Sequence, residues 1–420
     1  MSKPGKKRPV PELRFPEYRA GADWEVRLVA DLGKYTGGGT PSRDNADYWN
    51  GSIPWISSSD ISQDSIRGIS ISRYISNEAL EQSATKLVPS GSVVLVARVG
   101  VGKVAVLDRE LCTSQDFISI TPTHDRADFI AYCFKSHTAR LLSLSQGMAI
   151  TGFTKEDLSK MEMLFPSARA EQQKIAACLS TVDALLAAES VKLEALRAHK
   201  KGLMQQLFPA VGAKAPALRF PGFKGEWGEI ELAAGLIGQP QYGMNAPAVK
   251  YSEELPTYLR ITDISEESRF LATGKVSVDR EATEDEYMKD GDIALARTGA
   301  SVGKSYKYKK SDGALVFAGF LIRVRPNPKV LDSEFLNQFL STDKYWKWVN
   351  FISARSGQPG INGTEYASME LPIPPTTKEQ KEIAACLATL DDRIALQIQR
   401  IEIMENHKKG LMQGLFPPVN

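Results

Sequence analysis

The chain carries two copies of one helical segment, and this repeat constrains the fold more than any other feature. Residues 170–209 and 378–417 align without a gap at an offset of 208 and are identical at 21 of 40 positions. Each copy follows a longer segment, and the two longer segments are far more divergent. A repeated scaffold with two dissimilar heads predicts a protein that has two different binding specificities.

Both copies have the heptad pattern of a coiled coil. Apolar residues recur at alternating steps of four and three from Ile175 to Leu207 and from Ile383 to Leu415, which predicts a long helix with a coiled-coil seam. Two interpretations remain open for the polar residues within the seam: they fix the register of the pair, or the helices splay there and water solvates them. We expect antiparallel packing, because parallel packing would crowd both heads at one end. The polar seam positions are Glu189, Lys200, Gln397 and Lys408.

The repeat extends into the heads and sets the domain boundaries. Leu13–Pro16 with Trp24 recurs as Leu218–Pro221 with Trp227, and 210–217 is a small-residue stretch with Gly and Pro that is typical of a linker. We therefore predict an α+β fold in which two mixed α/β heads alternate with two long helices packed as an antiparallel coiled coil, a pseudo-twofold internal repeat. The segments are a basic N-terminal arm (1–20), a first head (21–168), a first long helix (169–209), a linker (210–217), a second head (218–376) and a second long helix (377–417).

Each head contains a matched β-rich pattern. Gly91–Leu107 and Gly291–Tyr308 each have two runs of β-forming residues around a Gly-rich turn, which predicts a hairpin. The stretches Asp128–Ser145 and Ser333–Phe351 have helical patterns and follow the hairpins.

Composition and motifs exclude several classes of protein. The formal net charge of +2 permits nucleic-acid binding without arguing for it. The four cysteines form no CxxC pair, and no stretch resembles a signal peptide or a membrane span, so we expect a cytoplasmic protein. Gly299–Ser305 has Thr298 where a phosphate-binding loop needs its first glycine. No catalytic constellation is present, so we expect a binding protein and not an enzyme, with no metal and no cofactor on this chain.

Three kinds of residue in the heads suit contact with DNA. Glycines let backbone approach a ligand, and hydroxyl and aromatic neighbours fit backbone and base edges. Gln and Arg read adenine and guanine through two hydrogen bonds, and Arg or Lys beside Gly-rich turns fits phosphate. For the loop residues, an ordinary surface or turn role is an equally open interpretation. The candidates are Thr36, Gly37, Gly38, Thr40, Ser57, Ser58, Arg98, Lys103 and Gln146 in the first head and Gln241, Tyr242, Arg260, Arg297, Lys304, Ser305, Arg355 and Gln358 in the second.

These features together resemble the specificity subunit of type I restriction-modification systems. The resemblance is carried by His-Lys-Lys-Gly-Leu-Met-Gln-x-Leu-Phe-Pro (199–209 and 407–417), by Glu-Gln-x-x-Ile-Ala (171–176 and 379–384) and by the opening of the first head (37–61). It implies that the heads are target-recognition domains, each of which reads one half of a bipartite, asymmetric DNA site. It also implies two modification (methyltransferase) subunits and two restriction (ATP-dependent translocase and nuclease) subunits as partners. These partners would use S-adenosylmethionine, magnesium and ATP.

Two alternatives remain. The chain could be the specificity subunit of a related system that cuts on both sides of its site, which would change the partners and not the chemistry of this chain. It could also be a coiled-coil scaffold whose two heads bind proteins or sugars.

Overall fold

The contacts within the chain divide it into two compact units. A computed structural model describes residues 10–144, 152–354 and 359–418. The first unit comprises the described residues of Met1–Ser190 and Arg400–Asn420, and the second those of Val191–Gln399. Each unit therefore contains one head, the beginning of one long helix and the end of the other. In the described part of the chain, no helix is long and apolar enough to span a membrane.

The first head is built from three small sheets with short helices beside them. One sheet has the strand order β2-β9-β6-β7, a second has the order β4-β3-β8-β5, and β1 pairs with β10. The strands are β1 (Glu25–Leu28), β2 (Gly33–Gly37), β3 (Ile53–Ile56), β4 (Arg73–Ile75), β5 (Leu87–Val88), β6 (Val93–Val96), β7 (Val104–Val106), β8 (Leu111–Thr113), β9 (Phe117–Pro122) and β10 (Glu162–Phe165). The helices are α1 (Asn77–Gln82), α2 (Ala127–Ser136), α3 (Thr138–Ser143) and α4 (Lys155–Ser159), and the long helix α5 (Arg169–Leu207) follows.

The second head repeats this topology except at the edges of one sheet, where β13 is added and, among the described residues, no strand takes the place of β5. Its sheets have the orders β12-β19-β16-β17, β13-β15-β14-β18 and β11-β20. The strands are β11 (Gly228–Glu231), β12 (Gln241–Tyr242), β13 (Ala248–Lys250), β14 (Thr257–Leu259), β15 (Val276–Val278), β16 (Ile293–Ala296), β17 (Ser305–Lys307), β18 (Leu315–Phe317), β19 (Leu321–Val324) and β20 (Glu370–Ile373). The helices are α6 (Ser333–Phe339), α7 (Asp343–Ser353) and α8 (Gly363–Ala367), and the long helix α9 (Thr377–Leu415) follows.

The matched hairpins are confirmed, whereas the helices that follow them are each divided in two. Antiparallel β6–β7 and β16–β17 form the two hairpins. The single helical stretches expected at 128–145 and 333–351 are instead α2 with α3 and α6 with α7. His137 interrupts the first with non-helical backbone angles. Thr342 starts α7, because its hydroxyl accepts a hydrogen bond from the amide of Tyr345.

The two long helices are antiparallel within each unit. In the first unit, Lys408 near the end of α9 pairs with Asp183 in the first half of α5 at 2.6 Å. In the second unit, Lys200 near the end of α5 pairs with Asp391 in the first half of α9, also at 2.6 Å. The start of one helix thus lies beside the end of the other in both units. The predicted antiparallel coiled coil is confirmed.

The polar seam positions are packed and paired rather than solvated. The side chains of Lys200 and Lys408 are only 14% and 12% exposed in their ion pairs with the aspartates. Glu189 pairs with Arg400 at 2.8 Å, and Gln397 is 4% exposed. Because an apolar seam tolerates a buried charge only opposite its partner, these pairs oppose a shift of one helix along the other. The register interpretation is therefore the correct one.

A repeated polar cluster joins the start of each long helix to its head. Glu171 accepts two hydrogen bonds from the guanidinium of Arg14, at 2.8 and 2.9 Å, and a third from the indole of Trp24 at 3.2 Å. Arg219 and Trp227 bind Glu379 in the same way. This cluster explains why the Leu-Arg-Phe-Pro and Glu-Gln motifs occur twice: each arginine neutralises a buried glutamate.

Each long helix ends inside the hydrophobic core of a unit. Phe416, just after α9, packs with Trp24 and Phe129 in the first unit, and Phe208, just after α5, packs with Trp227 and Phe335 in the second. The buried Leu-Phe sequence explains the repeated C-terminal motif of the helices. The first unit is therefore built from both ends of the chain, and the amide of Leu13 donates to the carbonyl of Gly414 at 2.8 Å.

Candidate nucleic-acid interface

The strand pairings show which residues of the second head occupy the same positions as the candidate residues of the first. In the first head the amide of Ala97, just after β6, donates to the carbonyl of Asp116, just before β9, at 2.7 Å. In the second head the amide of Arg297, just after β16, donates to the carbonyl of Phe320, just before β19, at 3.0 Å. The strand registers extend this correspondence to the neighbouring positions. The equivalent pairs are Gly37 and Tyr242, Gly38 and Gly243, Ser57 and Arg260, Ala97 and Arg297, Arg98 and Thr298, Lys103 and Lys304, and Asp116 and Phe320.

Arg98 and Arg297 are therefore not structural equivalents, although the sequence pattern suggested that they match. Thr298 takes the place of Arg98, since the backbone of Arg98 bridges to Gly152 and that of Thr298 bridges to Gly360. The Arg98 side chain is exposed and makes no hydrogen bond or ion pair within the described residues. It remains available to a ligand.

One of the two candidate glycines of the first head is required for packing. A Cβ on Gly38 would lie 1.8 Å from the carbonyl oxygen of Ser114, so only glycine allows this close approach. Its equivalent Gly243 meets the same restriction, at 2.3 Å from the carbonyl oxygen of Ala318. Gly37 is exposed with open space around it. Of these glycines, Gly37 is the one whose position suits an approaching ligand.

The neighbouring threonines differ in how they are held. The hydroxyl of Thr40 donates to the side chain of Gln115. Thr36 lies half-buried on β2 opposite Ser119. Both threonines are partly exposed, and the hydrogen bond to Gln115 fixes the orientation of the Thr40 hydroxyl.

Ser57 belongs to a polar cluster that presents an arginine missing from the sequence-based set. A short 3₁₀ helix, Ser58–Asp60, begins at Ser57, and the Asp60 carboxylate accepts a hydrogen bond from the Ser57 amide at 2.7 Å. Arg73, on β4, pairs with Asp60 and donates to the Ser57 hydroxyl at 2.7 Å. The guanidinium also lies 4.7 Å from the centre of the buried Trp55 ring. Arg73 is thereby held in one position while its side chain stays 34% exposed.

The second head places an arginine beside the equivalent aspartate, but from a different position in the sequence. Arg260 begins the 3₁₀ helix Ile261–Asp263 and donates to both carboxylate oxygens of Asp263, at 3.0 and 2.7 Å. These hydrogen bonds raise the pKa of the Arg260 guanidinium, which stays charged. Its side chain is 34% exposed, as is that of Arg73. Both heads thus present a carboxylate-anchored arginine at the same short helix.

The lysines of the Gly-rich turns are true equivalents. Lys103 donates from Nζ to the backbone carbonyl of Ser58 at 3.1 Å, which joins three residues of the candidate set in one cluster. Lys304 forms an ion pair with Glu266. Lys103 thus contacts the 3₁₀ helix of its head, and Lys304 contacts the loop that follows the 3₁₀ helix of the other. Each lysine therefore stabilises a loop of its own head, and this role is separate from any contact with phosphate.

Ser305 requires a correction. It lies on the central hairpin of the second head and is only 2% exposed, so its hydroxyl is not available to a ligand. The phosphate-loop pattern drew attention to this serine, but Ser305 begins strand β17. The residues Gln146, Arg355 and Gln358 lie outside the described residues.

A groove of about 640 Å³ in the second head brings three of the candidate residues together. The guanidinium of Arg297 lies 4.8 Å from the centre of the Tyr242 ring, a cation–π distance. Arg260 and the exposed Phe320 also line the groove. Buried side chains, Met244 and Tyr258 among them, also line it. The result is a cationic, partly aromatic surface on a rigid base.

Gln241, which precedes Tyr242 on β12, is oriented by a buried arginine that sequence reasoning missed. Arg323 is 2% exposed and donates to the side-chain oxygen of Gln241. Burial lowers the pKa of the Arg323 guanidinium, and the nearby Asp292 opposes that effect. With its oxygen occupied, the Gln241 side chain presents its NH₂ group as a donor.

A model of the type I restriction modification DNA specificity domain matches residues 21–198 and 250–406. The chain is 34% identical over 182 residues to the MjaIX specificity subunit of Methanocaldococcus jannaschii, covering 42% of each chain. It is 31% identical over 170 residues to the EcoR124I/EcoR124II specificity subunit of Escherichia coli, covering 38% of this chain and 41% of that one. Each of these two alignments thus spans less than half of the relative.

Longer but weaker similarities cover nearly the whole chain. The MjaVIII specificity subunit of M. jannaschii is 24% identical over 418 residues, which is 96% of this chain and 93% of that one. The crystal structure of a type I system S subunit from M. genitalium has a TM-score of 0.65 at 15% identity, with 98% of this chain and all of that chain covered. The fold is therefore that of such subunits, and the chain belongs to the family of type I restriction-modification DNA specificity proteins.

Proposed function

We propose that this chain is the DNA-recognition subunit of a type I restriction-modification complex. Each head reads one half of a bipartite, asymmetric site, and the long helices set the spacing between the halves and dock the methyltransferase subunits. The carrying observation is that the two heads share one scaffold but differ at equivalent surface positions. Gly37, Ser57 and Asp116 of the first head are replaced by larger or charged residues in the second, and the buried Ala97 is replaced by Arg297.

This pattern of difference is the one that independent reading requires. The scaffold contacts are repeated: the buried glutamates, the order of the sheet that holds the hairpin and the close-packed glycines occur in both heads. The positions around the groove are not repeated: the exposed Tyr242 stands where the exposed Gly37 does, and the half-buried Arg297 stands where Ala97, only 3% exposed, does. Base readout depends on such side chains, whereas phosphate contacts only position a protein. Two heads with one fold and two surfaces can read two sequences.

The catalytic steps belong to the partners in this proposal. The modification subunits supply S-adenosylmethionine-dependent methyl transfer, and the restriction subunits supply ATP-driven translocation and magnesium-dependent cleavage. Two copies of each partner match the twofold repeat of this chain. The part left to this chain is to position the DNA.

Exposed apolar side chains on the long helices support their role in docking. In the first unit, Leu185 and Ile403 are 49% and 61% exposed, and in the second unit Val191 and Leu396 are 70% and 65% exposed. All four lie outside the heptad seam, so packing between α5 and α9 does not explain them. Apolar residues that a helix leaves uncovered are suited to a partner helix. We assign them to the modification subunits.

Reconstitution tests the proposal. The chain, expressed with the modification subunits from the same locus and given S-adenosylmethionine, should methylate a motif of two specified halves around an unspecified gap. Sequencing that detects methylated bases gives both halves and the gap. The purified chain alone should transfer no methyl group. Methyl transfer by the single chain would contradict the division of roles, and failure of the complex to retain any DNA would favour a protein- or sugar-binding scaffold.

A further inference from the structure

The second head carries an exposed aromatic residue on a rigid turn at the edge of its groove. Phe320 is 63% exposed and lines the groove with Tyr242, which is 49% exposed. It occupies the turn between β18 and β19, where the amide of Leu321 donates to the carbonyl of Ala318 at 2.8 Å. This hydrogen bond closes a four-residue β-turn with Phe320 at its third position.

Two further hydrogen bonds hold this turn in place. The amide of Gly319 donates to the carbonyl of Met244 at 2.7 Å, and the carbonyl of Phe320 accepts from the amide of Arg297 at 3.0 Å. Both central residues of the turn are thus anchored to neighbouring segments. A side chain that projects from such a turn loses little conformational freedom on binding, which is what a preorganised contact requires.

The charge beside Phe320 favours an anionic, hydrogen-bond-accepting partner. Arg297 makes no ion pair with a carboxylate among the described residues, and its buried Nε has no hydrogen-bond partner there. The two terminal nitrogens of the guanidinium make no hydrogen bond among the described residues either, and they are not buried. Phosphate oxygens or base edges of DNA would accept from them, while the flanking aromatic rings fit the faces of bases.

The first head lacks this arrangement and therefore serves as an internal control. Asp116 takes the place of Phe320, and its carboxylate accepts a hydrogen bond from the hydroxyl of Ser114 at 2.9 Å. Ala97 and Gly37 take the places of Arg297 and Tyr242. A carboxylate at the equivalent turn would be repelled by the phosphate backbone instead of entering the base stack.

We propose that Phe320 wedges between neighbouring base pairs of the half-site that the second head reads, while Arg297 binds the adjacent DNA. The inference rests on the proposed function and adds that the two heads deform DNA differently. Apolar wedges of this kind partly unstack a base step and kink the duplex, most easily at flexible pyrimidine–purine steps. Such a step would be read through its deformability as well as through hydrogen bonds.

The test uses the complex of the chain with its modification subunits and duplexes of the motif obtained by methylation sequencing. 2-Aminopurine, whose fluorescence rises when it is unstacked, is placed in turn at positions of each half-site other than the methylated base and its neighbours, because methyltransferases flip their target base out of the stack. At these positions we expect wild-type complex to raise the fluorescence at a step of the second half-site and at no step of the first. Phe320→Ala should abolish the rise and weaken DNA binding about 5- to 150-fold, the range for loss of one base–aromatic contact. Phe320→Trp should retain the rise.

Tyr251→Ala is the matched control, because Tyr251 is an aromatic residue of the same head that is 42% exposed and does not line the groove. It should leave both readouts unchanged. Normal DNA binding by wild-type complex without unstacking in the second half-site would overturn the wedge and leave the proposed function intact. Loss of subunit association by Phe320→Ala, with DNA binding unchanged, would assign Phe320 to a protein contact and also overturn it. No DNA binding by wild-type complex would refute the proposed function and the wedge together.

Discussion

Removal of Lys408 should destabilise the end of α9 where it packs against the first half of α5. In the first unit, the side chains of Lys408 and Asp183 are 12% and 9% exposed in their ion pair. Asp183 also accepts a hydrogen bond from the hydroxyl of Tyr132 at 2.8 Å, which ties the head to both helices. Lys408→Met keeps most of the side-chain volume but leaves a buried carboxylate with one neutral partner.

Breaking a buried pair from one side costs about 3–5 kcal/mol. Since the Tyr132 hydroxyl remains as a partner of Asp183, we expect Lys408→Met to lower the free energy of unfolding by somewhat less, about 2–4 kcal/mol. Asp183→Asn should cost less, because it leaves a neutral amide beside a lysine that can reach water. The double variant should be more stable than the sum of the two single changes predicts, by about 1–3 kcal/mol, as coupled neighbours are.

Hydrogen exchange measured by mass spectrometry is the suitable assay, because a chain of two compact units need not unfold in one step. The opening free energy of 400–415 should fall in Lys408→Met and recover partly in the double variant. Lys409→Met, at the exposed neighbouring position, is the control and should change the opening free energy by less than about 0.5 kcal/mol. If Lys408→Met matched this control, the ion pair would not be what holds the register.

Three further outcomes are expected. Arg73→Ala and Arg260→Ala should each weaken DNA binding and lower the salt dependence by about one unit if the arginine contacts phosphate; an unchanged slope in both would mean that they only brace their 3₁₀ helices. Burial and the nearby Lys408 lower the pKa of Lys135 to about 8. Because the unfolded chain then binds more protons above pH 8, the free energy of unfolding of the first unit should rise from pH 8 to 10, and Lys135→Met should flatten that rise in the urea transition of this unit. A four-residue insertion in both long helices, between the aspartate and the lysine of each, should lengthen the unspecified gap of the methylated motif by about two base pairs, from about 6 Å of helix rise. The same insertion in one helix should only destabilise the protein, and an unchanged gap after the double insertion would refute the role of the helices as spacers.

Sequence periodicity was sufficient for the parts of the fold that depend on local pattern. The long helices and the two matched hairpins follow from heptads, helix-ending Phe-Pro and Gly-rich turns. The antiparallel packing of the helices follows from the need to avoid crowding two heads at one end. The same information could not assign partners to Lys200 and Lys408, because each is opposite an aspartate far away in sequence. It also could not divide the helices after each hairpin, since capping by Thr342 decides that locally.

The candidate site was harder to predict because side chains reach it from distant segments. Arg73 was missed because it lies 13 residues from Asp60, whereas Arg260 supplies the same group from within its 3₁₀ helix. Ser305 was included on motif spacing alone, which does not tell the buried face of a strand from the exposed one. Phe320 had no sequence signal, since a single apolar residue in a turn is ordinary. An alignment of the β6–β7 and β16–β17 hairpins by strand register pairs Arg297 with Ala97 and not with Arg98.

An exchange of the first head is the most direct measurement of independent reading. Residues 25–166 would be replaced by the corresponding segment of another family member, with Trp24 retained because its indole binds Glu171 at the helix junction. Methylation sequencing of cells that carry the hybrid and its modification subunits should give a motif with one new half and the other half unchanged. A motif changed in both halves, or in neither, would contradict the claim that each head reads its own half-site.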